Sequence, residues 1–188
     1  MCRLATMSFM PERPDFSVEV VPYSETWPTL FEQERVALQE AVGGAATSIE
    51  HIGSTAVPGL SSKPTIDILM VVDSPEAFLE RLPAVEALGY DYRPNNTLVG
   101  GESHLYLRKV VDGKRTHHLH VLRSGSPEID DYRLFRDYLR ADPTLATEYE
   151  RLKIALARRH GDDRMRYVTE KAIWVDNRLR ELREGQRN

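Results

Sequence analysis

Residues 50–72 read EHIGSTAVPGLSSKPTIDILMVV, and the architecture expected for the chain follows from this segment. A short apolar strand leads into a Gly-Ser-Thr turn at residues 53–55, and a Pro-Gly loop then leads through Lys63 to a second strand. The second strand, residues 65–72, is β-branched or apolar almost throughout, which is typical of a central strand covered on both faces. Asp67 alone interrupts it. The stretch therefore predicts two strands of one sheet, with a small-residue turn at the end of the first.

This arrangement suits phosphate chemistry. A small-residue turn exposes backbone N–H groups and hydroxyls to phosphate oxygens, and a strand carboxylate can bind a Mg²⁺ ion that bridges those oxygens. The two-residue period of a strand places Asp67 and Leu69 on one face. Because an isolated buried carboxylate is costly, Asp67 must be paired, hydrogen-bonded or metal-bound. Two hypotheses stay open: Asp67 holds a metal ion beside the turn, or it only caps the turn from the neighbouring strand.

A histidine-rich strand is predicted at residues 116–122, THHLHVL. Its alternation places His118 and His120 on one face and the apolar residues on the other. Two imidazoles spaced in this way can hold a metal ion, or bind phosphate when protonated. A structural zinc site is weakly indicated, because such sites prefer four N or S ligands and the single cysteine, Cys2, is near the N-terminus. An ordinary surface or core role for each histidine is the alternative.

The whole chain has 188 residues, 41% hydrophobic and 29% charged, which fits one compact domain. We predict a tail over residues 1–17, a mixed core over residues 18–126 and a helical subdomain over residues 127–188. Strands are predicted at residues 18–21, 47–52, 65–72, 90–93, 98–99, 104–111 and 116–122, with a hairpin turn at 112–115. Helices are predicted over residues 27–41, 75–88, 127–139, 143–160 and 165–182, with Pro83 kinking or dividing the second.

The charge distribution limits the class of ligand. A net charge of −4 argues against a nucleic-acid binder. Residues 151–188 nevertheless hold 11 Lys or Arg against 6 Asp or Glu, and such a basic flank could receive a small polyanion such as a nucleotide. A solvated helix face with ion pairs is the alternative. No run approaches the about 20 apolar residues of a membrane span, and residues 1–10 lack a signal-peptide pattern, so we expect a cytoplasmic protein.

Several motifs together resemble the GrpB family, also called UPF0157. The most specific is GST-x-VPGL-x-x-KP-x-ID at residues 53–67, and others are PY at 22–23, HLHV at 118–121 and FRDYL at 135–139. The resemblance extends over roughly residues 18–180. It implies an α+β (mixed α/β) protein of the nucleotidyltransferase fold, in which a mixed sheet has flanking helices, here followed by the C-terminal helical subdomain.

The resemblance also implies a comparison with active nucleotidyltransferases. These enzymes have Gly-Ser before a strand with Asp-x-Asp or Asp-x-Glu, and a third carboxylate on an adjacent strand. The Gly-Ser of residues 53–54 and Asp67 match, but Leu69 occupies the position of the second carboxylate, so this strand alone cannot build the usual two-metal site. His120 is the candidate for the third position. Glu50 and Glu102 are candidates to compensate for the missing acid.

The expected site has three parts. Asp67 and Lys63 are the candidate catalytic residues. The candidate metal ligands, for Mg²⁺ or Mn²⁺, are Asp67, His118 and His120. The candidate nucleotide-binding residues are Gly53, Ser54, Thr55, Lys63, Arg136, Lys153 and Lys171.

Two functions follow from this site as hypotheses. In the first, the protein binds a nucleoside triphosphate or another small phosphorylated ligand with a divalent metal and transfers a nucleotidyl group to a small acceptor. In the second, it is a catalytically inactive module that binds a ligand or a protein partner. Leu69 favours the second hypothesis, and the retention of Lys63, Asp67 and the two histidines favours the first.

Overall fold

A five-stranded mixed sheet forms the centre of the computed structural model, which describes residues 18–94 and 104–185. The strands are β1 (Ala46–Ile52), β2 (Ile66–Val72), β3 (Tyr90–Tyr92), β4 (His104–Val111) and β5 (Lys114–Arg123). The α-helices of the described residues are α1 (Trp27–Val42), α2 (Pro75–Ala87), α3 (Pro127–Ala141), α4 (Pro143–His160) and α5 (Arg164–Gly185). None of these helices is both long and apolar enough to cross a bilayer.

The strand order β1-β2-β5-β4-β3 brings distant parts of the chain together. Strands β2 and β5 pair in parallel, and all other neighbours pair antiparallel. In this register Asp67 of β2 lies opposite His118 of β5, which lies opposite Arg108 of β4, which lies opposite Asp91 of β3. Residues directly opposite one another share a face of the sheet. A row of polar residues therefore crosses four strands on one face.

The two faces of β2 pack against different partners, as its alternation predicts. Ile66, Ile68 and Met70 belong to a large apolar cluster together with buried residues of α1 and α2. On the other face, Leu69 packs with Ile129 of α3 in a smaller apolar cluster. Helices α4 and α5 then pack against α3 and the loop that follows β1. The face that Asp67 shares with Leu69 is therefore the one that the C-terminal helices cover.

The helix starts follow local capping chemistry. The side chain of Asp142 accepts hydrogen bonds from the backbone N–H groups of Thr144 and Leu145 at 2.8 and 3.2 Å, directly before Pro143 begins α4. Ser74 caps α2 in the same way through the N–H of Ala77. Both caps supply acceptors for N–H groups that the first turn of a helix leaves without partners. These starts confirm the helix boundaries expected from the sequence.

Two elements differ from expectation. Residues 18–21 form no strand: the N–H of Val18 donates to the carbonyl of Gly161, and only Val21 makes an isolated bridge, with Ser62. Pro83 does not divide α2, which is assigned as one helix. Burial of side chains on both sides of Pro83 offsets the backbone hydrogen bond that proline cannot donate.

The hairpin between β4 and β5 is tighter than expected. Its loop is the pair Asp112-Gly113, both with positive φ of 50° and 75°, instead of residues 112–115. Positive φ at both loop positions matches the right-handed twist of the flanking strands. The strand predicted at residues 98–99 lies outside the described residues.

Candidate functional site

The Gly-Ser-Thr turn touches the carboxylate of Asp67. Gly53 has φ +70° and ψ −169°, a conformation that residues with a Cβ rarely adopt. A Cβ at this position would lie 2.5 Å from Oδ2 of Asp67. Glycine is therefore required both for the backbone conformation and for the close approach of the acid. The sequence motif shows that Gly53 comes before the strand that carries Asp67. It does not show that the two residues lie in contact.

Ser54 and Asp67 open into one cavity of about 100 Å³. The loop after β1, β5, α4 and α5 all contribute to its wall. Four cationic side chains line it: Lys63, Lys153, Arg164 and Lys171. Of the expected residues, the structure thus brings Ser54, Lys63, Asp67, His118, Lys153 and Lys171 together. Arg164, at the first position of α5, was missed by sequence reasoning because nothing distinguishes it from the other arginines of the basic flank.

The cavity has an excess of positive charge. Asp67 is the one carboxylate among its described lining residues. No carboxylate of residues 18–94 or 104–185 lies within 4.0 Å of the cationic atoms of Lys63, Arg164 or Lys171. Burial lowers the pKa of Lys63 to about 8, and the charges of Arg164 and Arg115 add to this shift. Partly buried like charges without a counter-ion are costly, so a bound anion would stabilise this arrangement.

Lys153 is the most buried of these cations, with 1% of its surface exposed. Its Nζ donates to the carbonyl of Ser61 at 2.5 Å and lies 4.7 Å from the centre of the Tyr149 ring. Burial lowers its pKa to about 7, and the nearby charge of Lys171 contributes. Helix α4 therefore places the amino group of Lys153 beneath the loop that carries Lys63, where it is only partly protonated at neutral pH.

Asp67, His118 and His120 form a cluster of metal-binding groups. One ligand atom from each lies within 4.8 Å of the others. Nδ1 of His118 lies 2.8 Å from Oδ1 of Asp67. Nε2 of His118 is buried and has no hydrogen-bond partner in the described part of the chain. Sequence alternation predicted that the two histidines share a face, and the parallel pairing of β2 with β5 adds the carboxylate.

The protonation states suit a metal ligand set. Burial lowers the pKa of His118, and it lowers that of His120 to about 3, so both imidazoles are neutral at pH 7. Burial opposes ionisation of Asp67, but the hydrogen bond with His118 and the nearby basic groups, Lys171 among them, together outweigh it and lower the pKa of this carboxyl to about 2. Neutral imidazoles and an ionised carboxylate are the forms that bind metals. The donor set and the unpartnered Nε2 of His118 therefore fit a single divalent ion.

His120 is held by neighbours that the sequence did not reveal. Its Nδ1 lies 3.0 Å from Nε2 of His104 and 3.3 Å from the hydroxyl of Tyr132. His104 lies on β4 and Tyr132 on α3. The turn at residues 112–113 alone would pair His104 with Val121, but a register shift between Lys109 and Val110 places His104 opposite Leu122 and on the same face as His120. No sequence pattern indicated this shift.

Thr55 and Arg136 are not at the cavity. Thr55 is 1% exposed; its hydroxyl donates to the carbonyl of Thr65 and contacts Nε2 of His51 at 3.0 Å, so it holds the turn in place. Arg136 instead donates to Oε2 of Glu50 at 3.1 Å and to the carbonyl of His51. It belongs to the contact between α3 and β1.

The candidate substitutes for a second carboxylate do not reach the cavity. Glu50 is engaged by two guanidinium groups of α3, those of Arg133 and Arg136. Glu102 lies outside the described residues. Leu69 itself is completely buried in the apolar cluster beneath α3. The position of the second carboxylate is therefore closed to both water and metal.

Comparison with known proteins agrees with the motifs. The family model described as GrpB protein matches residues 17–181. The chain belongs to the GrpB family. It is 36% identical over 178 residues to the UPF0157 protein YqkA of Bacillus subtilis (strain 168), a match that covers 93% of this chain and 51% of YqkA. The chain thus spans about half the length of that curated relative.

Solved structures support the same family and fold. The crystal structure of the conserved protein GrpB from Enterococcus faecalis has a TM-score of 0.81 and 34% identity, and the match covers 90% of this chain and 100% of that one. A structure of the Cid1 poly(U) polymerase has a TM-score of 0.51 at 16% identity, covering 74% and 45% of the two chains. At that identity the likeness concerns the fold alone. The nucleotidyltransferase-like fold expected from the sequence is confirmed.

Proposed function

We propose that this GrpB-family protein binds a nucleotide, or another small phosphorylated ligand, through its phosphate in the cavity beside Asp67. The observation that supports this most directly is the group of four cations around a single carboxylate. A phosphate group is small, multiply charged and accepts several hydrogen bonds, and so matches Lys and Arg side chains that have no carboxylate partner among the described residues. An apolar or cationic ligand would leave these charges uncompensated.

Each part of the site has a role in this proposal. The hydroxyl of Ser54 donates to a phosphate oxygen at the end of β1. Lys63, Arg164 and Lys171 neutralise the phosphate, and Arg164 can do so with two parallel N–H groups. Because pockets for whole small molecules usually measure about 300 to 1,000 Å³, the cavity has room for a phosphate but not for the base and sugar. Those parts of a nucleotide would lie outside the cavity.

A divalent ion on Asp67, His118 and His120 would lie at the edge of the same cavity. When bound, such an ion supplies positive charge to phosphate oxygens and orients them. Burial keeps the two imidazoles neutral, and the hydrogen bond with His118 keeps Asp67 ionised, so these side chains need no proton transfer before an ion binds. Ligand binding is therefore proposed to strengthen when the ion is present.

Transfer of a nucleotidyl group to a small acceptor is the second candidate function. The contact between the Gly-Ser turn and Asp67 favours it, since this is the part of the transferase pattern that the chain retains. The burial of Leu69 favours binding without transfer, as in a regulatory or assembly module, because the strand offers no second carboxylate for a second metal. A test for pyrophosphate release from each nucleoside triphosphate separates the two.

The proposal is tested by isothermal titration with non-hydrolysable nucleoside triphosphate analogues and with inorganic phosphate. We expect micromolar binding of at least one analogue. Lys171→Gln is expected to weaken it at least about tenfold, because it removes a charge that contacts phosphate. Lys114→Gln, at the exposed start of β5, is the matched control and should leave the affinity unchanged. Absence of heat with every analogue and with phosphate, in buffer with and without divalent metal, would contradict the proposal.

A further inference from the structure

The histidines beside the cavity differ from a typical magnesium site in their donor atoms. Two of the three clustered groups are imidazoles and only one is a carboxylate. Mg²⁺ prefers oxygen ligands and retains several waters, whereas imidazole suits Zn²⁺, Fe²⁺, Co²⁺ and Ni²⁺. Two imidazoles and one carboxylate with open positions are typical of transition-metal sites. The donor chemistry therefore departs from the Mg²⁺ or Mn²⁺ expected from the sequence.

The second observation concerns the orientation of His120. Its Nδ1 is engaged by His104 and by Tyr132, which leaves Nε2 as the nitrogen available to a ligand. Metal-binding histidines usually have their other ring nitrogen fixed by such a partner, and the partner sets the tautomer. His104 is 8% exposed and His120 is 9% exposed, so neither ring can turn freely into solvent. The arrangement pre-orients one ligand before an ion arrives.

The third observation is the buried Nε2 of His118, which has no protein partner in the described residues. A buried nitrogen without a hydrogen-bond partner is energetically costly. The hydrogen-bonded pairs Asp67–His118 and His104–His120 leave that cost in place when no ion is bound. An ion or its bound water offers the missing partner.

We propose that Asp67, His118 and His120 bind a transition-metal ion of the Zn²⁺, Co²⁺ or Fe²⁺ class in preference to Mg²⁺, and that His104 is a positioning residue for His120. The inference deepens the proposed function, since the ion would lie where the phosphate is proposed to bind. The metal site is nevertheless testable without any phosphorylated ligand. His104 acts through the imidazole of His120 and does not itself contact the ion.

The test uses the full chain, stripped with a chelator and titrated separately with CoCl₂, ZnCl₂ and MgCl₂ by calorimetry. Binding of Co²⁺ is also followed by its visible absorption. We expect one Co²⁺ or Zn²⁺ per chain, with an affinity at least about a hundredfold above that for Mg²⁺. His120→Gln should abolish the Co²⁺ absorption band. His104→Leu should lower the Co²⁺ affinity by about 10- to 100-fold, whereas His104→Gln, which can still contact Nδ1 of His120, should restore most of it.

His117→Gln is the matched control. This residue is next to His118 on β5, but it faces the opposite side of the sheet, where its Nε2 lies 3.9 Å from Glu34. Its Nε2 is also buried without a hydrogen-bond partner in the described residues. We expect its substitution to leave the Co²⁺ affinity and absorption unchanged. Circular dichroism of each variant verifies that it is folded, and His118→Asn serves as the ligand variant if His120→Gln is not folded.

Three results would overturn the inference: no binding of Co²⁺ or Zn²⁺, binding of Mg²⁺ with equal or greater affinity, or Co²⁺ binding that persists in His118→Asn and His120→Gln. Equal Co²⁺ affinities of His104→Leu and wild type would overturn the role of His104. Titration with inorganic phosphate in the presence of chelator keeps the two proposals distinct. Phosphate binding without metal binding contradicts only this inference, and metal binding without any phosphate or nucleotide binding contradicts only the proposed function.

Discussion

The carboxylate of Asp67 can reach the turn because residue 53 is a glycine and has no Cβ. A Cβ there would meet Oδ2 of Asp67 at 2.5 Å, well inside contact distance. Gly59 also has positive φ, +78°, but nothing lies within 4 Å of the Cβ it lacks. Substitutions at these two glycines therefore distinguish the cost of a positive φ from the loss of the contact with Asp67.

Replacing Gly53 by alanine is expected to lower the free energy of unfolding by more than replacing Gly59. Both substitutions place a Cβ on a backbone with positive φ, which costs on the order of 1 to 3 kcal/mol. Only Gly53→Ala also displaces Asp67, and it should therefore weaken phosphate and Co²⁺ binding, while Gly59→Ala leaves both intact. Urea unfolding and calorimetric titration of the two variants measure the difference. Equal ligand affinities in both variants would contradict the role given to Gly53.

Single residues show how far the sequence alone can go. The shared face of Asp67 and Leu69 was predicted by alternation, because the period of a strand is a local property. The contact between His104 and His120 was not predicted, since it depends on the register of two strands. Arg136 was expected at the phosphate because its residue type is suitable, but its actual partner, Glu50, lies on β1 and is distant in sequence.

Among the elements, helix α4 shows how the first residues determine where a helix begins. Asp142 caps two N–H groups, and Pro143 begins the helix with a fixed φ. The same helix holds Lys153 beneath the loop of Lys63. Loss of the cap therefore affects an element that contributes to the cavity.

Asp142→Ala is expected to lower the free energy of unfolding by about 1 kcal/mol, the usual contribution of an N-cap side chain. Asp176→Ala is the matched control, because Asp176 is exposed within α5 and caps nothing. Thermal or urea unfolding of both variants provides the measurement. A larger loss for Asp176→Ala than for Asp142→Ala would show that the cap is not the stabilising contact.

Elements were predictable where local patterns determine them. The caps of α2 and α4 and the alternation in β2 and β5 were visible in the sequence. The continuity of α2 through Pro83 was not, because burial against the sheet outweighs a local helix-breaking preference. Residues 18–21 alternate like a strand, yet Val18 bonds to Gly161 after α4, a partner that no local pattern identifies.

Across the whole molecule, the basic C-terminal flank divides into two populations. Lys153, Arg164 and Lys171 turn toward the cavity. Other basic residues of the flank pair with acids on the surface, as Arg178 does with Glu148 at 2.7 Å. The interpretation as a solvated face with ion pairs therefore describes the surface residues of the flank, and the anion-receiving hypothesis applies only to the residues that line the cavity. The net charge of the flank could not distinguish the two interpretations, because it does not show which way each side chain points.

Stability should fall as the pH is lowered from about 6.5 toward 4. Burial lowers the pKa of His51 to about 4, of His104 to about 4 and of His120 to about 3, against 6.5 for a free imidazole. Below pH 6.5 the unfolded chain therefore binds protons that the folded chain does not, which favours unfolding. Urea midpoints at pH 7.5, 6.0 and 5.0 should decrease in that order. His104→Gln should flatten the decrease, and a constant midpoint would contradict this account.

The parallel pairing of β2 with β5 has a consequence for how the protein is made. Asp67 and His118 are 51 positions apart in the sequence. Lys171 of α5 comes much later in the chain than either residue. Contacts of such long sequence separation form late, and chains are synthesised from the N-terminus. A nascent chain that has emerged only through the β4–β5 hairpin would lack the cations of α4 and α5. Binding of the proposed phosphorylated ligand would therefore require completed folding, and newly synthesised, partly folded molecules would not bind it.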